Sequence, residues 1–291
     1  MCQEEGRLSM KRVFITGASG FLGSYLLELA PAGVEIMAQY HTVEPHRTAP
    51  TIHPVQIDFQ NPDFSPVADF SPEVIVHTAA MSRVDACEQQ RELAYQINVA
   101  ATRQLADLAG KCGARMLFTS SDQIYNGERG NYTEADPPDP PAYYGHTKVE
   151  AERYILEHLN NAVSIRVALI YGRAIQGTST FTEAIVNNLR EGNPVRVFVD
   201  EYRSPILVNA LAEAMWELAE HTYTGRLNLG GAQRLSRLEM GQIICELLHL
   251  DESLLRHTRV ADLALPARRP RDCSFDISLA RQVLRTPLPD F

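Results

Sequence analysis

The sequence predicts an α/β fold, a Rossmann-type doubly wound parallel sheet with a smaller C-terminal substrate-binding region. Three observations carry the prediction. Short β-branched or apolar runs alternate with helical patterns as far as Tyr171-Gly172, a glycine-rich turn closes the first run, and beyond Gly172 the alternation loosens.

In chain order, strands are expected over residues 12–16, 34–38, 55–58, 74–78, 115–119 and 163–169, with helices over 22–29, 85–109 and 144–160 between them. Right-handed crossovers bring the C-terminal ends of these strands to one edge of the sheet, which is where chemistry is expected. Past Gly172 come a helix over 181–191, a strand near 195–199, a helix over 209–221, a strand over 226–229, a helix over 238–250 and a tail rich in Pro and Arg. Residues 1–172 form the expected nucleotide-binding domain and 173–291 the smaller region, partly interleaved with it. There is no internal repeat, and the one biased stretch is the proline loop 137–141.

Composition excludes several function classes. Of the 291 residues 45% are hydrophobic and 22% charged, an ordinary globular balance, and the formal net charge is −9. Binding to a phosphate backbone runs on basic surface, so no nucleic-acid partner is expected. The cysteines at 2, 87, 112, 245 and 273 include no Cys-x-x-Cys pair and no His cluster at zinc spacing, so free thiols and no metal are expected. The first seven residues carry acids and no apolar run, unlike a signal or transit peptide, and no stretch approaches the roughly 18 apolar residues of a membrane span. A cytoplasmic protein without a membrane partner is the expectation.

The first strand runs into Gly17-Ala18-Ser19-Gly20-Phe21-Leu22-Gly23, which opens a helix. One glycine allows the tight bend, the next lets backbone N–H groups approach a pyrophosphate, and the third lets helix and strand pack closely; the helix N-terminus adds partial positive charge. Strand before and helix after satisfy the context that a dinucleotide fingerprint requires. The second strand ends at Gln39-Tyr40-His41 with no acid to take both ribose hydroxyls. Its neutral end, with His41 and Arg47 nearby, favours NADPH over NADH as cofactor, although either NADP or NAD is compatible.

Tyr144 and Lys148 stand four apart in a helical stretch, on one face. An ammonium, aided by an oxidised nicotinamide, favours the phenolate and lowers the pKa of Tyr144, which can then exchange a proton with a substrate oxygen. At the end of the fifth strand Thr119-Ser120-Ser121-Asp122 supplies hydroxyls, and Ser121 is the third candidate, holding the same oxygen by a hydrogen bond. His77 is read as a satisfied core histidine, Trp216 as a packing residue, and Glu213, Glu217 and Glu220 as a solvated helix face.

Loop 17–23, His77-Thr78-Ala79-Ala80, Asn98 in Ile97-Asn98-Val99, the Ser121/Tyr144/Lys148 set, and Arg166 ahead of Tyr171-Gly172 together resemble the extended short-chain dehydrogenase/reductase superfamily. Within it, segments 79–88, 120–127 and 144–152 look most like dTDP-4-dehydrorhamnose reductases and their relatives. The resemblance implies adenine contact by Asp58 with Phe59 beside it, a cofactor channel lined by Ala79 and Ala80, and a fourth-strand region steadied by Asn98. With the loop and the strand-2 end, the implied cofactor set is Gly17, Ser19, Gly20, Phe21, Leu22, Gly23, Tyr40, His41, Asp58, Phe59, Ala79, Ala80, Asn98, Tyr144 and Lys148. For the substrate, a nucleotide-linked deoxysugar bearing a ketone, it implies Val84, Asp85, Ser121, Asp122, Arg203, Arg269 and Arg271.

The chain departs from that pattern at Phe21, where the reductases usually carry Gln, at the residue before Asp122, at Gln123, where they carry an aromatic, and near Leu169, where they carry Trp. The related dehydratases use an Asp-Glu pair, and Gln123 cannot exchange a proton at neutral pH, so dehydration is disfavoured. Two other functions fit the same motifs: an epimerase that retains NAD, and a non-catalytic subunit resembling the regulatory subunit of methionine adenosyltransferase. The helical stretches 85–109 and 144–160 resemble those that pair in family homodimers.

Overall fold

The structure, a computed structural model, describes residues 10–177 and 179–291; Cys2 and the acidic N-terminal segment lie outside them. The β-branched runs become strands β1 (Arg12–Thr16), β2 (Glu35–Tyr40), β3 (Ile52–Gln56), β4 (Val74–His77), β5 (Arg115–Ser121) and β6 (Ala162–Val167). A seventh strand, Gly225–Leu229, comes from beyond Gly172 and pairs with β6. All pairings are parallel and the order is Gly225–Leu229, β6, β5, β4, β1, β2, β3. This is the expected doubly wound sheet. Its order reverses between β1 and β4, the crevice where such sheets bind ligands.

Both faces of the sheet are covered. Helices Phe21–Glu28 and Val208–Glu220 bury Leu22, Leu26, Leu211 and Met215 on one side; Ala101–Cys112 and Tyr143–His158 bury Leu105, Ala109, Ala151 and Ile155 on the other. A smaller cluster, Ile185, Leu189, Val197, Ile244 and Leu255, forms within the C-terminal third. Trp216 is a packing residue whose indole N–H donates to the Leu26 carbonyl at 3.0 Å.

Several expectations need correction. The helix expected over 85–109 is broken at Gln90 (φ −126°, ψ 59°) into Val84–Gln89 and Arg91–Tyr95, then a π-helical turn Gln96–Ala100, before it resumes at Ala101–Cys112. The wide turn carries Asn98, which bonds backbone outside the helix; such bulges often mark sites. The third strand lies earlier than expected, at Ile52–Gln56, because Pro54 is tolerated on the sheet's outer edge, so Asp58 and Phe59 fall beyond its end. Helix Ser65–Phe70 was not expected, having six residues and Val67 alone buried. Glu217 is no solvated side chain: its carboxylate accepts the backbone N–H groups of Arg285 and Thr286 and fixes the tail. The four described cysteines are free thiols, and no described helix is long and apolar enough to cross a membrane.

One buried ion pair joins the site-bearing helix to the sheet. Arg166 of β6 grips Glu152 with Nη2 at 2.7 Å and Nε at 3.2 Å, and Nη1 donates to the Tyr125 hydroxyl at 2.6 Å. Ser164 and Arg226 complete the carboxylate's partners. Burial alone would raise the Glu152 pKa, but the hydrogen bonds and charge of Arg166 overrule it and hold the group below its ordinary value. Removing one member leaves the other's charge stranded, so Glu152→Ala should cost roughly 3–5 kcal/mol in urea unfolding at pH 7. Because the folded pKa is depressed, this contribution is present above the unfolded value and lost as pH falls through the folded one, so the gap between wild type and variant should close in acid.

Candidate active site

The glycine loop takes its shape from crowding. Gly17 has φ +65°, and a Cβ on Gly23 would sit 2.1 Å from the Gly17 carbonyl oxygen, so any side chain there would push the helix off β1. Gly20 begins the eight-residue helix Phe21–Glu28, and no side chain caps its first turn, which leaves N–H donors and positive helix potential open to an anion. Gln39 secures the loop from beneath: its Oε1 accepts the Gly17 N–H at 2.8 Å, and its Nε2 donates to the Ile57 carbonyl at 2.7 Å. Gln39 is thus a buried fastener and not an open strand end. Arg47, expected near a cofactor phosphate, is instead held by the Glu28 carboxylate at 2.7 Å.

At the crevice a continuous hydrogen-bonded path crosses the site. The Thr16 hydroxyl accepts the Thr78 and Ala79 N–H groups at 3.0 Å each and sits 2.7 Å from His77 Nδ1. The other ring nitrogen lies 2.8 Å from the Thr102 hydroxyl, which donates to the Asn98 carbonyl. With the Thr102 proton so committed, Nε2 must be the donor and Nδ1 the acceptor, a neutral ring. Burial, with a smaller contribution from Lys148, pushes its pKa down to about 3. The Asn98 side chain then binds both polar backbone groups of Met81 and donates to Thr147 at 3.1 Å, and Thr147 donates to the Tyr144 carbonyl. Asn98 and His77 organise the site from within the core.

Ser121, Tyr144 and Lys148 line one cavity of about 460 Å³ with Gly17, Gly20, Phe21, Leu22, Gly23, Ala79 and Ala80. They meet because Gly145 has no side chain: a Cβ there would lie 2.3 Å from the Gln123 carbonyl oxygen, so glycine lets the helix press on the turn after β5. Ser121 donates to Asp122 Oδ1 at 3.2 Å and accepts the Gln123 N–H at the same distance. Burial raises the Tyr144 pKa, opposed by a hydrogen bond with Ser121 and reinforced by Asp122. This is opposite to the expected lowering by Lys148. Burial likewise pushes Lys148 down, to about 7, with its ammonium 4.3 Å from the Phe118 ring centre.

The remaining candidates divide. Ser19, Tyr40, His41, Asp58 and Phe59 do not line this cavity; His41 Nε2 lies 3.7 Å from Asp58 on the exposed surface, and Phe59 is buried beside His77. Val84 packs with Tyr144 in an apolar cluster. Asp85 binds Arg269 at 2.7 Å and accepts the Ala267 N–H, fastening the late loop over that cluster. Asp122 and Arg203 line the cavity and pair at 3.2 Å, with Arg203 also 2.9 Å from Glu201. Arg269 and Arg271 line a second cavity, of about 780 Å³. Sequence reasoning missed Arg237, in the wall of the first cavity, Glu201 beside it, and the role of Gly145. The Tyr-Gly spacing was a usable signal for Gly145, whereas Arg237 sits in an unremarkable capping sequence, Ser236-Arg237-Leu238-Glu239.

A family model described as the RmlD substrate binding domain matches residues 10–291. Over 273 residues the chain is 30% identical to the probable low-salt glycan biosynthesis reductase Agl14 of Haloferax volcanii, spanning 91% of this chain and 89% of that protein. Over 287 residues it is 29% identical to methionine adenosyltransferase 2 subunit beta of Mus musculus, spanning 96% of this chain and 84% of that one. The crystal structure of a hypothetical dTDP-4-dehydrorhamnose reductase from Sulfolobus tokodaii superposes with a TM-score of 0.85 at 33% identity, covering 96% of this chain and 97% of that one. The dTDP-4-dehydrorhamnose reductase of Bacillus anthracis, in complex with NADP, gives 0.83 at 25% identity, covering 97% and 95%.

The buried ammonium has a measurable cost. With its folded pKa below the unfolded one, Lys148 destabilises the fold most below pH 7, and stability returns as pH rises toward its ordinary value of 10.5. Lys148→Met should therefore raise the unfolding free energy at pH 6 by roughly 3–5 kcal/mol and by much less near pH 10, as read from urea midpoints.

Proposed function

The chain belongs to the RmlD substrate-binding family, and we propose that it is an NAD(P)H-dependent reductase of a keto group on a nucleotide-linked deoxysugar. One observation carries the reading: Ser121, Tyr144 and Lys148 share a single cavity with the glycine loop. A similar reductase crystallised with NADP supports the cofactor class.

The residues present suit a dinucleotide. The uncapped first turn after Gly20 would hold the pyrophosphate, Ala79 and Ala80 the passage to the nicotinamide, Lys148 the adjoining ribose, and the exposed Asp58, outside the cavity, the adenine end. β2 itself ends without an acid, in Tyr40-His41, which favours NADPH; Asp58 lies 3.7 Å from the exposed His41. When bound, the reduced nicotinamide supplies a hydride to the carbonyl carbon.

Tyr144, kept neutral by burial, gives its phenolic proton to the carbonyl oxygen as that oxygen gains charge. Ser121 turns its hydroxyl from Asp122 to the same oxygen and orients it. Lys148, poised near neutrality, stabilises the phenolate left on Tyr144 until it is reprotonated. The walls exclude water from this exchange: Tyr144 and Lys148 are 8% and 2% exposed.

Likeness to methionine adenosyltransferase 2 subunit beta favours a second reading, a dinucleotide-binding subunit without turnover. A co-purifying partner and an absence of NADPH consumption would mark it. For the reductase, NADPH absorbance should fall when a dTDP-linked keto-deoxyhexose is added. Tyr144→Phe should lower kcat by roughly 100- to 10,000-fold while leaving cofactor binding, measured by fluorescence titration, within a factor of a few. An undiminished rate in that variant would refute the assignment.

A further inference from the structure

Next to Ser121 the cavity wall is made of charge. Asp122 pairs with Arg203, Arg203 with Glu201, and Glu201 reaches Arg237 at 3.5 Å. Two carboxylates face two guanidiniums, so the set is close to neutral. Its arginines are unequally used. Arg203 is 1% exposed and also donates to the Tyr202 and Pro270 carbonyls, which makes it a fastener between segments.

Arg237 has little to hold it. Its guanidinium lies over the Phe181 ring at 4.7 Å, its single hydrogen bond is the long one to Glu201, and Nη1 has no partner. Its side chain is one-fifth exposed. Of the six buried side-chain polar atoms without a hydrogen bond among the described residues, four belong to residues of this one cavity: Ser120 Oγ, Gln123 Oε1 and Arg237 Nη1, and Asp122 Oδ2, which has the ion pair with Arg203. Buried polar atoms are normally paired, and a cluster of exceptions in a cleft points to a ligand that pairs them.

We propose that Arg237 discriminates among substrates by donating a hydrogen bond to a hydroxyl on the sugar carbon beside the reacting carbonyl. The inference rests on the reductase reading. The balanced charge of the wall argues for a neutral group, since an anion would add an uncompensated negative charge. The unpaired acceptor Gln123 Oε1 argues for a hydroxyl over an ether oxygen, because a hydroxyl accepts from Arg237 and donates onward. Placement beside the carbonyl follows from the contact of Asp122 with Ser121, the residue assigned to that carbonyl.

The test compares two dTDP-linked keto-deoxyhexoses, one with the hydroxyl beside the carbonyl and one lacking it, in wild type, Arg237→Met and Arg237→Lys. Arg237→Met should raise KM for the hydroxylated sugar roughly 10- to 100-fold and leave the deoxy sugar within about twofold, with NADPH affinity unchanged. Arg237→Lys, which keeps the charge beside Glu201, should fall between and serves if the methionine variant does not fold. Equal losses on both sugars, or no loss on either, would overturn the role of Arg237 while leaving the reductase standing. A wild type that consumes NADPH with neither sugar would overturn the reductase reading and this inference with it.

Discussion

The site depends on a buried hydrogen-bonded path from Thr16 through the neutral ring of His77 to Thr102, Asn98 and Thr147. It ties the end of β1, the end of β4, the π-turn and the site-bearing helix into one register. Each donor on it has an acceptor, which is what allows so many polar groups inside a core. A protonated His77 would turn Nδ1 into a second donor facing a Thr16 hydroxyl that already accepts two N–H groups, so hydrogen-bond geometry and burial both favour the neutral ring. The Thr16 carbonyl, which leads into the glycine loop, and the Tyr144 carbonyl are held at opposite ends of this path.

On that frame, dehydration of the cavity sets the electrostatics. The same burial moves Tyr144 up and Lys148 down, because each shift disfavours the charged form. Under the proposed reduction the neutral phenol gives a proton, and the lysine becomes more stable as an ammonium once a negative charge appears on Tyr144. The Glu152–Arg166 pair works the other way: its partners are complete, so it remains ionic while buried and acts as a rivet. Arg237 differs from both in having donors left over.

Much of the fold was legible in the sequence because its signals are local. The limits of β1 follow from its hydrophobic run, and helices such as Phe181–Arg190 follow from apolar spacing and a capping box. Where the reading failed, a distant contact had overruled a local pattern. The break at Gln90 and the π-turn follow from Asn98 reaching Met81, Glu217 is consumed by a tail about 70 residues away, and Arg47 is taken by Glu28. Among the described residues the exposed large apolar side chains, Val43, Ile175, Leu247 and Leu248, lie off the two helical stretches likened to dimer contacts.

By itself the sequence determined the parallel α/β sheet, the glycine turn after β1, and the pairing of Tyr144 with Lys148 on one helix face. These are properties of neighbouring residues, fixed by backbone sterics and by the period of the helix. Only the tertiary structure decided that Ser121 faces that pair, that Gln39 fastens the loop, that Arg203 is saturated while Arg237 is not, and which way each buried group titrates. Proximity across tens of residues and loss of water are set by how the layers pack, and no stretch of chain records either one.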